Sequence, residues 1–179
     1  METLANPDTK ETPPLRVRLA CMVYEALLLF GLLFIAGWIF STLLQQRHAL
    51  YLRHAQQVWL FLVLGLYFAW FWSHGGQTLA MKTWRIRLVA ANGRPPGFWH
   101  AAGRYLLSWL WFLPGLALAW ALGANAWLLA WIPLVSMALW ALTIYLDPER
   151  QFLHDRLART RLVRVAAVPK KAPAARTRA

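Results

Sequence analysis

Acidic side chains are scarce in this sequence: seven Asp and Glu stand against nineteen Lys and Arg in 179 residues, a formal charge of +12. Only one of the acids, Glu25, lies inside an apolar run, so no pair of facing carboxylates is available for acid–base chemistry within a membrane. Cysteine occurs once, as Cys21. That excludes an internal disulfide, and its place in the first apolar run makes it a small packing residue. The histidines show no metal-ligand spacing, and there is no nucleophile elbow and no phosphate-cradling glycine loop. The expectation is therefore no metal, no cofactor and no enzymatic activity.

What the chain has instead is apolar bulk. Hydrophobic residues make up 59% and charged residues 15%, outside the usual soluble range of about 45–50% and about 25%. The excess is in blocks. Leu19 to Leu44 is apolar except for Glu25, and as a helix it would be roughly 39 Å long, more than the ~30 Å hydrocarbon core of a bilayer. It far exceeds the roughly 7–15 apolar residues of a signal-peptide core, so it reads as a retained anchor. Ala55 to His74 gives a second span. Tyr105 to Leu146 is too long for one crossing and must turn at Gly123-Ala124-Asn125, which yields spans over 105–122 and 126–146, with Pro114 and Pro133 inside them. The predicted fold is an all-α membrane protein, a four-helix transmembrane bundle with a small cytoplasmic strand and helix element. Residues 1–15 are expected to be disordered, 16–165 to form the membrane domain, and 166–179, rich in Ala, Pro, Lys and Arg, to be a disordered basic tail.

Four spans put both termini on one side, and seventeen of the nineteen Lys and Arg fall there, leaving Arg47 and Arg53 opposite. The positive-inside rule makes that side cytoplasmic. Topology thus accounts for the basic charge, and the expected partners are the bilayer and its anionic head groups rather than nucleic acid. On the cytoplasmic side, Thr83 to Val89 and Thr160 to Val165 alternate apolar and polar residues and are predicted to pair as a two-stranded sheet, with a turn at Asn92-Gly93. Asp147-Pro148-Glu149 reads as a helix start, the helix running to about Arg159.

Three places hold polar groups of interest. Arg18 and Glu25 lie seven residues apart, two turns on one helix face, with Arg18 as the only nearby opposite charge on that helix. Glu25 is either a polar lock between helices or a functional carboxyl. Gly76, Gln77 and Thr78, followed by Lys82, either line an interfacial site or only form a turn. His154 beside Asp155 reads as a proton relay or, without a third partner, as a surface ion pair. Asp155 is expected to sit against Arg18, Arg104 or one of the strand arginines.

These residues carry a resemblance. Arg18-Leu19-Ala20 with an acid seven residues on, Gly76-Gln77-Thr78 with Lys82, Arg87-Leu88-Val89 before Asn92-Gly93, Arg104 heading a span, and His154-Asp155-Arg156-Leu157-Ala158 with Thr160-Arg161 resemble the RDD family of bacterial membrane proteins. The family is named for one arginine and two aspartates, which correspond by position to Arg18, Glu25 and Asp155; Glu25 departs from the pattern by one methylene. The resemblance implies a multispanning protein of the bacterial inner membrane with a transport role, some relatives being sodium/proton antiporters. The rival expectation is a non-transporting scaffold whose basic face binds a protein or anionic lipid. Because four helices fill their own interior, transport would require a homo-oligomer.

Overall fold

The protein was analysed as a computed structural model, which describes residues 12–44, 52–145 and 147–165. The first helix, α1 (Leu15–Leu43), is about 43 Å long. It starts four residues before the expected span and so takes Arg16 and Arg18 into its first turns. The second, α2 (Arg53–Ser73), matches the second predicted span closely. Three stretches among the described residues are long and apolar enough to cross a membrane: α1, α2 and Ala126–Tyr145. The connector around Arg47 and His48, residues 1–11 and the 166–179 tail lie outside the described residues.

The expected span over 105–122 is not one helix. An amphipathic helix, α4 (Phe98–Ser108), gives way to a 3-10 turn at Trp109–Trp111 and then to α5 (Leu113–Ala121). Pro114 is the cause: it has no N–H to give, so the ladder is interrupted and the proline takes the first turn of a new helix, where an N–H would be unpaired anyway. Gly123, at φ 58°, then reverses the chain, and the Asn125 side chain caps α6 (Ala126–Leu142) by accepting from Leu128 N at 3.0 Å. The α5–α6 pair closes tightly because Gly115 faces Pro133 and Ser136, where a Cβ would come within 2.8 Å of both.

On the basic side, α3 (Leu79–Thr83) occupies part of what the alternation assigned to a strand. Thr78 caps it by accepting from Met81 N at 3.2 Å. The strand β1 (Ile86–Ala90) follows and pairs antiparallel with β2 (Thr160–Arg164), Leu88 opposite Leu162. This is the predicted sheet, with its first strand begun three residues later. The sheet is two strands wide, and both of its free edges are covered. Gly76 O accepts from Leu88 N at 2.7 Å and Gln77 Nε2 donates to Ile86 O at 2.7 Å along β1. Along β2, the Gln151 amide accepts from Leu162 N at 3.1 Å and reaches back to Leu162 O, doing for that edge what a third strand would. Gly76 has to be glycine here: its φ is 73°, and a Cβ would lie 2.3 Å from Leu88 O.

The helix expected to start at Asp147 does not form there. Asp147 accepts from Gln151 N at 2.9 Å and from Arg156 Nη1 at 3.0 Å, closing a turn in which Arg150 adopts φ 51°. Helix α7 is only Leu153–Leu157. Delaying it leaves Gln151 free for the sheet edge. Residues 12–14, expected to be disordered, are held in place: Pro13 is buried, and Thr12 donates to Glu149 O at 3.2 Å.

The core lies in two clusters. One, under the inner sheet face, joins Cys21, Ala69, Trp72, Met81, Ile86, Leu88, Tyr105 and Leu162 across α1 to α4 and both strands. The other joins Trp111, Ala141, Ile144 and Phe152 at the base of the α5–α6 hairpin. The hairpin thus packs on itself and meets the rest of the protein chiefly through its base, and the expected bundle is replaced by a helical group with an attached hairpin.

Candidate functional site

Two buried polar clusters lie where these elements converge. The first centres on Glu25, 8% exposed in a helix long and apolar enough to cross a membrane. The sequence offered Arg18 as its counter-charge, but the structure pairs it otherwise. Tyr67 OH from α2 donates to Glu25 Oε1 at 2.7 Å, and Thr78 Oγ1 from the head of α3 donates to Oε2. Among the described residues no Lys, Arg or His forms an ion pair with it. Thr78 is fully buried and does two things at once, capping α3 and closing on the carboxylate. Gly76, Gln77 and Thr78 therefore clamp the strand edge and deliver a hydroxyl, whereas Lys82 is exposed and joins neither cluster.

The second cluster gathers four of the predicted site residues. Asp155, with no exposed surface, accepts from Arg104 Nε at 2.8 Å and Nη2 at 2.5 Å, both on Oδ1. The Arg104 guanidinium lies over the Trp72 ring, 4.2 Å from its centroid. Arg18, 1% exposed, turns away from Glu25 toward the helix start: its Nε donates to Pro13 O at 2.9 Å and its guanidinium lies 5.2 Å from the centroid of Phe152. Its two Nη groups and Asp155 Oδ2 have no hydrogen-bond partner among the described residues. His154 is 2% exposed, so the surface ion-pair expectation is overturned. Trp111 Nε1 donates to its Nδ1 at 3.0 Å, and its Nε2 lies 3.5 Å from Asp155 Oδ1. Burial is the main force holding its pKa down to about 4; the Asp155 charge opposes that, and Arg104 and Arg18 reinforce it.

Arg104 is paired with the Asp155 carboxylate beside a neutral imidazole, and the unpaired Arg18 guanidinium lies nearby, so the cluster carries one net positive charge. A buried pair of this kind is costly to break, because the survivor is left as an uncompensated charge. It pins α7 and the sheet to α4 and α1, which suits an anchoring role. The Glu25 cluster is different: hydroxyls are its only partners.

Tyr67, Trp72, Trp111 and Gln151 were not singled out from the sequence. Tyr67 left a signal, being the one hydroxyl among the fifteen apolar residues from Val58 to Trp72. The others left none, since a tryptophan in a Trp-rich chain and a lone glutamine in a loop are unremarkable. Among the described residues no group of His, Cys, Asp and Glu could hold a metal ion.

Compared with known protein families, residues 12–159 match the model of the RDD family. Both clusters lie inside the matched region, which stops one residue short of β2. Neither the curated proteins nor the solved structures give a match.

Proposed function

This chain belongs to the RDD family, and from that premise we propose that it exchanges a small cation for a proton across a bacterial inner membrane, acting as a homo-oligomer with Glu25 as the exchanging group. The observation that carries this reading is the setting of that carboxyl, buried in an apolar helix between two hydroxyls with no basic partner. A carboxylate in such a place is stabilised by a bound cation or by a proton. Tyr67 and Thr78 suit either state, because a hydroxyl can donate to the carboxylate or rotate to present a lone pair to a hard cation. A lysine or arginine in the same position would have neutralised Glu25 permanently.

In this reading the broken α4–α5 segment completes four crossings, both termini are cytoplasmic, and the pathway runs between copies, since the helical group and the hairpin each fill their own interior with side chains. The Arg18, Arg104 and Asp155 cluster holds the cytoplasmic element in place and takes no part in exchange. No covalent chemistry is assigned to the protein. A scaffold role is the second reading, favoured by the exposed Arg85, Arg94, Arg150, Arg156, Arg159 and Arg164.

The test is pH-driven cation flux in vesicles holding the purified protein. Wild type should show flux, Glu25→Gln should abolish it with the fold intact, and Glu25→Asp, which restores the family's residue, should retain it. Full flux in the Gln variant would end the exchange reading. Absence of flux in the wild type would leave the scaffold ahead.

A further inference from the structure

The outer face of the sheet carries groups that neither buried cluster uses. Side chains directly opposite on an antiparallel ladder share a face, so the pairs Arg87 with Val163 and Val89 with Arg161 place both arginines outward, on a diagonal of roughly 7–8 Å. Like charges this close repel. Both are only partly exposed, and the Nε of each is buried without a partner among the described residues. Leaving covered guanidinium donors unmatched is costly, so the arrangement calls for negative charge from outside the described chain.

A cavity of about 300 Å³ opens at this place, its walls including Arg161 and Val163 of β2, Arg150, Glu149, Gln151 and Thr12. Most of its wall is already satisfied internally. The Gln151 amide is committed to Leu162 and Thr12, and the Thr12 hydroxyl to Glu149 O. What remains unspent are the guanidinium groups of Arg150 and Arg161, with Arg87 diagonal to the latter. Among the described residues none of the three has a side-chain partner, and the exposed Glu149 is the only acid in the cavity wall. The wall therefore selects an anion. The two forks in the wall, Arg150 from the loop and Arg161 from β2, can each pair N–H donors with two oxygens of one anion, and a phosphate group presents at least three oxygens and up to two charges to them.

We infer that this pocket binds a phosphate group, held by Arg150 and Arg161 with Arg87 beside them. A phosphorylated lipid head group and a soluble phosphate share that chemistry. The site is distinct from Glu25 and does not depend on the exchange reading.

The test uses the full chain in phosphatidylcholine nanodiscs, titrated calorimetrically with inorganic phosphate and separately with short-chain phosphatidic acid. Binding of inorganic phosphate identifies a soluble source, binding of phosphatidic acid alone a head group, and binding of neither overturns the proposal. Arg161→Gln should weaken the binding at least tenfold. Glu149→Gln, at an exposed side chain that does not threaten folding, should strengthen it severalfold by removing the one opposing charge. Arg164→Gln, at the exposed end of β2 and outside the pocket, should leave it unchanged. Unaltered or weaker binding in Glu149→Gln, or an equal loss in Arg164→Gln, would show diffuse attraction to a basic surface and would overturn the site.

Discussion

Asp155 has no exposed surface and makes the only ion pair that Arg104 has among the described residues. Truncating it to alanine should cost about 3–5 kcal/mol, because the buried Arg104 guanidinium loses its counter-charge. Asparagine keeps an oxygen for Arg104 but not the charge, and should fall between. Chemical unfolding in detergent, followed by tryptophan fluorescence, would measure both, and a loss below 1 kcal/mol for alanine would show that the pair anchors little. The neighbouring His154 sets a pH dependence. Its folded pKa of about 4 lies below the ordinary value of 6.5, so the unfolded chain takes up the proton first. Stability from this group is complete above about pH 6.5 and is lost as pH falls toward about 4, at up to about 1.4 kcal/mol per pH unit. His154→Asn, which keeps an acceptor for Trp111, should flatten that part of the profile; an unchanged slope would mean that another group governs it.

At the scale of elements, the two features that shape the helices are small. Pro114 ends one helix and starts the next, and Gly115 beside it allows α5 to touch α6. A methyl at Gly115 would meet the Pro133 Cα and the Ser136 Cβ at 2.8 Å, both on a helix that cannot yield locally. Gly115→Ala should therefore spread the hairpin and cost about 1–3 kcal/mol, readable as a lower midpoint in thermal unfolding. The same substitution at Gly103, where an added Cβ meets nothing within 4 Å, should be neutral or slightly stabilising, because alanine is the better helix former. If the two variants behave alike, the close approach of α5 and α6 is not what holds the hairpin.

For the whole molecule the prediction concerns orientation. The four-crossing arrangement expects reporters inserted within Ala90 to Gly93 and after Ala179 to read cytoplasmic, and one near Arg47 to read outside. An outside reading at Ala90 would break it. The hairpin's limited contact with the rest of the chain leaves large apolar residues exposed on both sides of the divide, among them Phe30 and Phe34 on α1 and Leu134 and Leu139 on α6. Such faces suit lipid or a second copy. A strictly monomeric mass in native lipid would remove the between-copies pathway.

The membrane character, the Gly123–Asn125 turn, the alternation that becomes β1 and β2, and the run of family motifs were all legible in the sequence, because each depends on residues within a few positions of one another. The strand pairing was a step further, and succeeded because two lone alternating segments have few other partners. Local reading misplaced the start of β1, the helix expected at Asp147 and the continuity of 105–122. In each case a side chain had a competing use, as a cap at Thr78, a turn at Asp147 or an interrupted ladder at Pro114. What only the tertiary structure decided is which polar groups meet. Arg18 and Glu25 share a helix and yet go separate ways, since Tyr67 and Thr78 arrive 42 and 53 residues later to take the carboxylate, while Arg104 meets Asp155 across 51 residues. The sequence by itself required that buried charges find partners; the packing of α1 against α2 and α3, and of α4 against α7, determined which ones, because hydrogen bonds reach only about 3 Å and only the folded chain brings donors that close.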